Sequence, residues 1–213
     1  MNITPFRKDW FEELPVVGIL RGFEFDTTAR MISAAIDGGL RNVEITMNSP
    51  GASEQIRRAV DSFGSRANIG AGTVTSPAAL ELALSAGASF IVTPIVLPEV
   101  IESCVRRGVP VMPGAMSPTE IVSAWELGAT VVKVFPADGL GPAYLRSLRG
   151  PLPHIPLMPT GGVTVESLPA FRSAGAVAFG VGTPLFDPAH ATAGDWAWFQ
   201  TQAERFAAAW TSR

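Results

Sequence analysis

Reactive side chains are scarce in this sequence. It holds one cysteine, Cys104, and two well-separated histidines, His154 and His190. A lone cysteine excludes an internal disulfide, and with so few histidines a Cys/His zinc site is not expected. Charge is sparse too: 16% of residues are Asp, Glu, Lys or Arg, and the net charge is -3 at neutral pH. That leaves no basic footprint for nucleic acid. Beside 47% hydrophobic residues, the low charged share predicts a heavily buried interior or subunit contacts. No apolar run approaches membrane-spanning length, and the stretch from Met1 to Trp10 lacks the apolar core of a secretory signal. The expectation is a soluble cytoplasmic protein with a small-molecule substrate, no bound cofactor or metal, and no nucleic-acid or membrane partner.

What the chain does contain is a recurring unit. Asn2 to Leu14 reads as a short amphipathic helix, with Phe6, Trp10, Phe11 and Leu14 at helical spacing, lying as a lid over one end of the domain. Pro15 ends it. From Val16 onward, apolar strands alternate with helices. The strands are read at Val16–Gly22, Asn42–Asn48, Asn68–Val74, Phe90–Ile95, Pro110–Met116, Val131–Ala137, Pro156–Gly162 and Ala176–Gly182. Their spacing of roughly 20 to 26 residues is that of a βα unit. Joints such as Gly38-Gly39, Gly87, Gly108, Gly128 and Gly175 put glycine where a helix ends in the left-handed conformation. Ser49-Pro50, Ser76-Pro77 and Ser117-Pro118 each read as a serine cap followed by proline in the first helical turn, and Glu120 completes a capping box with Ser117.

Near-continuously apolar strands that alternate with helices are parallel and buried on both faces. Eight such units favour a closed (β/α)₈ TIM barrel at the small end for that fold. The competing open doubly wound sheet carries a Gly-rich fingerprint after its first strand, and Leu20-Arg21-Gly22-Phe23 is not one. The chain therefore reads as a single domain over residues 1–213, with the N-terminal helix at 1–14, the barrel at 16–186 and a C-terminal helix at 192–213. On that last helix Trp196, Trp198, Phe199, Phe206 and Trp210 are expected to pack, closing the barrel or meeting another subunit. His154 and His190 are assigned surface roles, and Cys104 a packing role on a helix.

In a barrel, side chains alternate inward and outward, and chemistry gathers at the C-terminal strand ends. Only one carboxylate and one lysine lie deep within strand-like runs: Glu44 in Val43-Glu44-Ile45-Thr46, and Lys133 in Val131-Val132-Lys133-Val134-Phe135. A lysine on an edge strand can guard against aggregation, and a buried Glu–Lys pair can simply fill a core. The chemical reading is different. Burial lowers an amine's pKa and exposes a nucleophile, and a nearby carboxyl can shuttle protons, which is what Schiff-base chemistry needs. Thr46 and Asn48 share the face of Glu44, and Phe135 that of Lys133. Thr160-Gly161-Gly162 and Gly182-Thr183 end the last two strands, where barrels often bind phosphate through backbone N–H groups. Arg21 ends the first strand and supplies positive charge at the mouth.

The ordered set Gly18-Ile19-Leu20-Arg21-Gly22, Val43-Glu44-Ile45-Thr46, Gly70-Ala71-Gly72-Thr73-Val74, Val92-Thr93-Pro94, Val111-Met112-Pro113-Gly114, Lys133-Val134-Phe135-Pro136-Ala137 and Pro159-Thr160-Gly161-Gly162-Val163 resembles the KDPG/KHG aldolase family over about Val16 to Phe186. The resemblance implies a metal-independent class I aldolase built as a homotrimer of barrels. It cleaves a 2-keto-3-deoxy-6-phosphoaldonate to pyruvate and D-glyceraldehyde 3-phosphate. It makes Lys133 the Schiff-base residue and Glu44 the general acid/base. Thr73, Pro94, Phe135 and Thr160 would line the pyruvate portion, Arg21 would contact anionic groups, and Gly161, Gly162, Gly182 and Thr183 would take the phosphate. Asn48 stands where many phosphogluconate-type members have arginine, and Asn48-Ser49-Pro50 looks more like the 6-phosphogalactonate branch. Two alternatives are a 4-hydroxy-2-oxoglutarate aldolase and a catalytically silent sugar-phosphate-binding barrel.

Overall fold

Eight short strands rich in β-branched residues form one parallel sheet: β1 (Val16–Leu20), β2 (Asn42–Thr46), β3 (Asn68–Gly72), β4 (Ile91–Thr93), β5 (Val111–Ala115), β6 (Val132–Val134), β7 (Leu157–Pro159) and β8 (Phe179–Val181). They come from a computed structural model that describes residues 5–212. The strand order is β7-β6-β5-β4-β3-β2-β1-β8. The ring closes between β7 and β8 through two isolated parallel bridges, Leu157 with Ala176 and Thr160 with Gly180. The expected (β/α)₈ barrel is the observed fold. Each strand stops short of its sequence-read end; after β3 and β7 the reason is visible, since Thr73, Gly161 and Gly162 hold positive φ and leave the extended backbone a ladder needs.

Helices α2 (Phe25–Asp37), α3 (Ala52–Phe63), α4 (Pro77–Ser85), α5 (Pro98–Arg106), α6 (Pro118–Glu126), α7 (Gly141–Arg149) and α8 (Leu168–Ser173) follow β1 to β7 in turn. Gly39, Gly87, Gly128 and Gly175 follow helix ends with φ between 92° and 99°, as the joint pattern predicts. Ser76 and Ser117 cap their helices through Ala79 N–H and Glu120 N–H, and the Ser117/Glu120 capping box is complete. Ser49 does not cap. Helix α3 starts later, at Ala52 behind Gly51 in the left-handed conformation, and the Ser49 hydroxyl is engaged elsewhere.

Strand alternation divides the core into two shells. Val43, Ile45, Ile69, Val111, Val132 and Val134 point outward to the helices. Val17, Phe90, Val92, Met112, Val131 and Met158 fill the barrel's interior towards its N-terminal end. Phe90 fits there because Gly70 is bare: a Cβ at Gly70 would lie 2.5 Å from the ring. Phe6 and Phe11 plug the same end from below. Phe11 lies on α1 (Lys8–Glu13), and Phe6 meets Phe90 edge-on at 5.8 Å. Helix α1 is thus the lid the sequence suggests, starting at Lys8 instead of Asn2; the expected helical residues before Pro5 lie outside the described residues.

Two buried asparagines fasten this lid. Asn68 Nδ2 donates to Arg7 O and to Asn42 Oδ1, both at 2.9 Å, and Arg7 N–H donates to Asn68 Oδ1 at 2.8 Å. Asn42 Nδ2 donates to Leu14 O at 3.0 Å.

The C-terminal helix expected over 192–213 is two helices. Gly194, at φ +69°, separates α9 (Pro188–Ala193) from α10 (Trp196–Thr211). α10 buries Phe199, Gln202, Ala203 and Phe206 and packs along α2 and α8, the helices that follow β1 and β7, so it takes the eighth place in the outer helical layer and closes that layer. Among the described residues no helix is long and apolar enough to cross a membrane.

Candidate active site

On β6, Val132 and Val134 face the helices, so Lys133 between them points into the barrel above Val131. It is 6% exposed. Its Nζ lies 4.7 Å from the centre of the Phe135 ring, which stands at the mouth. On β2 the same alternation turns Glu44 inward, with 1% of its surface exposed. Its carboxylate rests against the bare backbone of Gly72: a Cβ there would sit 2.2 Å from Oε1. Glycine inside a strand often marks such a close approach.

Burial moves both groups towards their neutral forms. The Lys133 ammonium loses hydration, which lowers its pKa; Glu44 opposes this and the positive Arg21 adds to it. Desolvation raises the pKa of Glu44, while Lys133 and Arg21 pull it back down. The two groups feel each other's charge without a direct ion pair among the described residues. A buried salt bridge that merely fills the core is therefore not what the structure contains.

Arg21 follows β1 at the mouth. Its Nη1 donates to Asn48 Oδ1 at 2.8 Å, and its Nη2 donates to Thr73 Oγ1 at 3.2 Å. Thr73 holds φ at +55°, and it is the one non-glycine residue at positive φ among those described. For a β-branched residue that conformation is strained, and such strain concentrates at functional sites. Arg21 also shares a recess of about 260 Å³ with Gly182, Thr183 and Phe186. The N–H groups of Gly162, Gly182 and Thr183 donate to no protein group among the described residues.

Thr160 ends β7. Its Oγ1 is buried and lacks a hydrogen-bond partner in the structure, and a Cβ on Gly180 would lie 2.2 Å from it. Leaving such a hydroxyl unpaired costs about 1–3 kcal/mol, which points to a partner supplied by a ligand.

The structure thus gathers Arg21, Asn48 and Thr73 into one cluster, and brings Lys133, Phe135 and Glu44 to one interior. It does not bring all the expected glycines together by contact. Gly161 and Gly162, at φ +95° and +70°, approach Ala137 and Asp138, whereas Gly182 and Thr183 lie by Arg21. Pro94 directly follows β4, half-buried, with its carbonyl against Gly114 of β5. Three contributors escaped the sequence reading: Gly72, Gly180 and Ser49. The glycines were visible as strand glycines, and Ser49 was hidden by its resemblance to a cap.

Other candidates stand apart. Cys104 is buried on α5 with its thiol pushed up to about 12, chiefly by desolvation, so it packs and does not react. His190 stacks on Trp198 at 4.2 Å and meets Asp195 at 3.1 Å, and His154 lies edge-on to Trp125. A cavity of about 390 Å³ opens at the barrel's opposite end between Phe6, Phe11, Val131 and Trp210. Its charged wall residues, Lys8 and Glu12, pair with each other at 3.1 Å, and it holds no convergent polar group of the kind chemistry needs.

Residues 8–201 match the family model described as "Aldolase: KDPG and KHG aldolase". The chain is 39% identical to the 2-dehydro-3-deoxy-6-phosphogalactonate aldolase of Escherichia coli K12, over 83% of this chain and 87% of that protein. It is 37% identical to the 2-dehydro-3-deoxy-phosphogluconate aldolase of Pseudomonas aeruginosa, over 86% and 82%. A solved structure titled "Native KDPGal structure" superposes with a TM-score of 0.87 at 36% identity, covering 92% of this chain and 94% of that one.

Proposed function

The chain belongs to the KDPG and KHG aldolase family, and from that premise we propose that it cleaves 2-keto-3-deoxy-6-phosphogalactonate to pyruvate and D-glyceraldehyde 3-phosphate through a Schiff base on Lys133. The observation that carries this reading is the inward pair of Lys133 and Glu44, each moved by burial towards its neutral form. A neutral amine is the nucleophile and a protonated carboxyl is the acid that the first steps require.

In this mechanism the Lys133 amine attacks the C2 carbonyl to give a carbinolamine. Glu44 protonates the departing hydroxyl, water leaves and a protonated iminium forms. Glu44, now a carboxylate, takes the proton from the C4 hydroxyl. The C3–C4 bond breaks, its electron pair moves into the iminium as an enamine, and the aldehyde phosphate departs. Glu44 returns the proton to C3, and hydrolysis of the iminium releases pyruvate and free Lys133. The apolar floor beneath Lys133 keeps water out from below, so the water released at iminium formation and consumed at its hydrolysis passes through the mouth.

Around this centre, Thr73, Pro94, Phe135 and Thr160 line the pyruvate portion, and the unpaired Thr160 hydroxyl is suited to meet its carboxylate. Arg21, held by Asn48 and Thr73, contacts anionic groups of the substrate. The free N–H groups of Gly162, Gly182 and Thr183, with Gly161, suit the phosphate. The galactonate assignment draws on Asn48 and on the similarity to relatives bearing that name.

Incubation with pyruvate and borohydride is expected to add a reduced pyruvyl group to the Lys133 peptide, read by mass spectrometry. An unmodified Lys133 under conditions that label an authentic class I aldolase refutes the mechanism. Pyruvate release from the galactonate and gluconate epimers, assayed side by side, tests the substrate. A kcat/KM for the gluconate epimer equal to or above that for the galactonate would overturn that assignment.

A further inference from the structure

Ser49 carries the signature of a helix cap, yet its hydroxyl serves the mouth of the barrel. It is buried, accepts a hydrogen bond from Gly22 N–H at 2.9 Å, and shares another with the Thr46 hydroxyl at 2.9 Å. Its own N–H donates to Thr46 O, also at 2.9 Å. Gly22 follows Arg21 directly and sits at φ +78° with open space where a side chain would be. The bond to Ser49 therefore ties down the peptide unit between Arg21 and Gly22. No other backbone N–H in Arg21–Phe23 donates to the protein among the described residues. One residue earlier, Asn48 accepts from the Arg21 guanidinium. The dipeptide Asn48-Ser49 thus grips Arg21 at both ends, head and backbone, and Thr46 anchors the grip to the end of β2.

We propose that Ser49 is a positioning residue for substrate binding, acting through Arg21: it fixes the backbone from which the guanidinium reaches the substrate's anionic groups. This rests on the reading of Arg21 given above. A long, flexible arginine finds its ligand with least loss of freedom when its root is fixed, and small misplacements of binding groups are costly. Ser49 touches neither Lys133 nor Glu44 by any hydrogen bond, so its effect falls on binding and not on the Schiff-base steps.

The test is a double-mutant cycle on cleavage of the phosphorylated substrate, with Ser49→Ala, Arg21→Ala and the double variant. Ser49→Ala is expected to raise KM about tenfold, as for loss of one buried hydrogen bond, and to leave kcat and borohydride trapping of pyruvate on Lys133 within about threefold. Added to Arg21→Ala, it should raise KM no further. Amide hydrogen exchange on the unaltered protein gives a second reading, since Gly22 N–H should be protected and should lose that protection in Ser49→Ala. A normal KM in Ser49→Ala beside a raised one in Arg21→Ala overturns the proposal and leaves the Arg21 reading standing. Additive effects in the double variant, a parallel fall in kcat, or an unprotected Gly22 N–H in the unaltered protein also overturn it. An unchanged KM in Arg21→Ala refutes both.

Discussion

The missing side chain at Gly72 sets where the Glu44 carboxylate rests, since a Cβ there would sit 2.2 Å from Oε1. Gly72→Ala must push the carboxylate aside, and a shift near 1 Å in a reacting group costs about a hundredfold in rate. Cleavage kcat is expected to fall by that order while pyruvate still becomes trapped on Lys133; Gly139→Ala, with open space around it, is the control. Near-normal kcat in Gly72→Ala would remove Gly72 from the positioning of Glu44. Glu44 also carries a stability cost whose sign is fixed. Its folded pKa lies above the ordinary value of 4.5, so between that value and the raised one the native state keeps a proton the unfolded chain has released. Stability therefore falls as pH rises through this window. Glu44→Gln is expected to abolish cleavage and to raise Tm at pH 8, where the unfolded chain has released the proton and the native carboxyl bears the cost of its burial. The gain should vanish as pH falls below about 4.5; a gain that persists at pH 4 would contradict the direction of the shift. Lys133 and Glu44 were legible because each is a charged residue inside an apolar period-two run. Gly72 and Ser49 were not, because what makes them matter is a neighbour a whole βα unit away in the chain (Glu44 and Gly22).

At the scale of elements, α1 and the ends of β2 and β3 form one device. The short helix buries no residue of its own, so its position depends on Phe6 and Phe11 entering the barrel and on Asn42 and Asn68 meeting the backbone at Arg7 and Leu14. Asn68→Ala removes bonds to Arg7 and leaves Arg7 N–H and Asn42 Oδ1 without that partner. It is expected to cost about 1–3 kcal/mol in denaturant unfolding, with faster hydrogen exchange in residues 6–13 and an unchanged kcat. Equal exchange in α1 would mean the aromatic plug alone holds the lid. The lid was legible from the helical spacing of its aromatics; its polar fastening was not, since an asparagine at a strand start looks like a turn residue. The same ambiguity led Ser49-Pro50 to be read like Ser76-Pro77, although only the second pair opens a helix.

At the scale of the molecule, one feature separates a barrel from an open sheet: the seam between β7 and β8. It consists of two isolated bridges, and one of them sets bare Gly180 against Thr160. Gly180→Ala would place a Cβ 2.2 Å from Thr160 Oγ1, an overpacking expected to cost about 1–3 kcal/mol, seen as a lower Tm and as faster exchange at Val177 and Val181. An unchanged Tm would show that the seam yields without cost. The sequence by itself determined the alternation of strand and helix, the count of eight, the parallel buried sheet and the two interior charged residues. Those follow from periodicity and turn chemistry, which are local. Only the tertiary structure decided that Glu44 lies over Gly72, that the Thr160 hydroxyl is left unpaired, that Arg21 is clasped by Asn48, Thr73 and the Ser49-bound backbone, and that the last helix packs between α8 and α2. Each of these depends on which segments the fold sets side by side, neighbouring strands for Glu44 and Arg21 and the β7/β8 seam for Thr160, and no local pattern encodes which neighbours those will be.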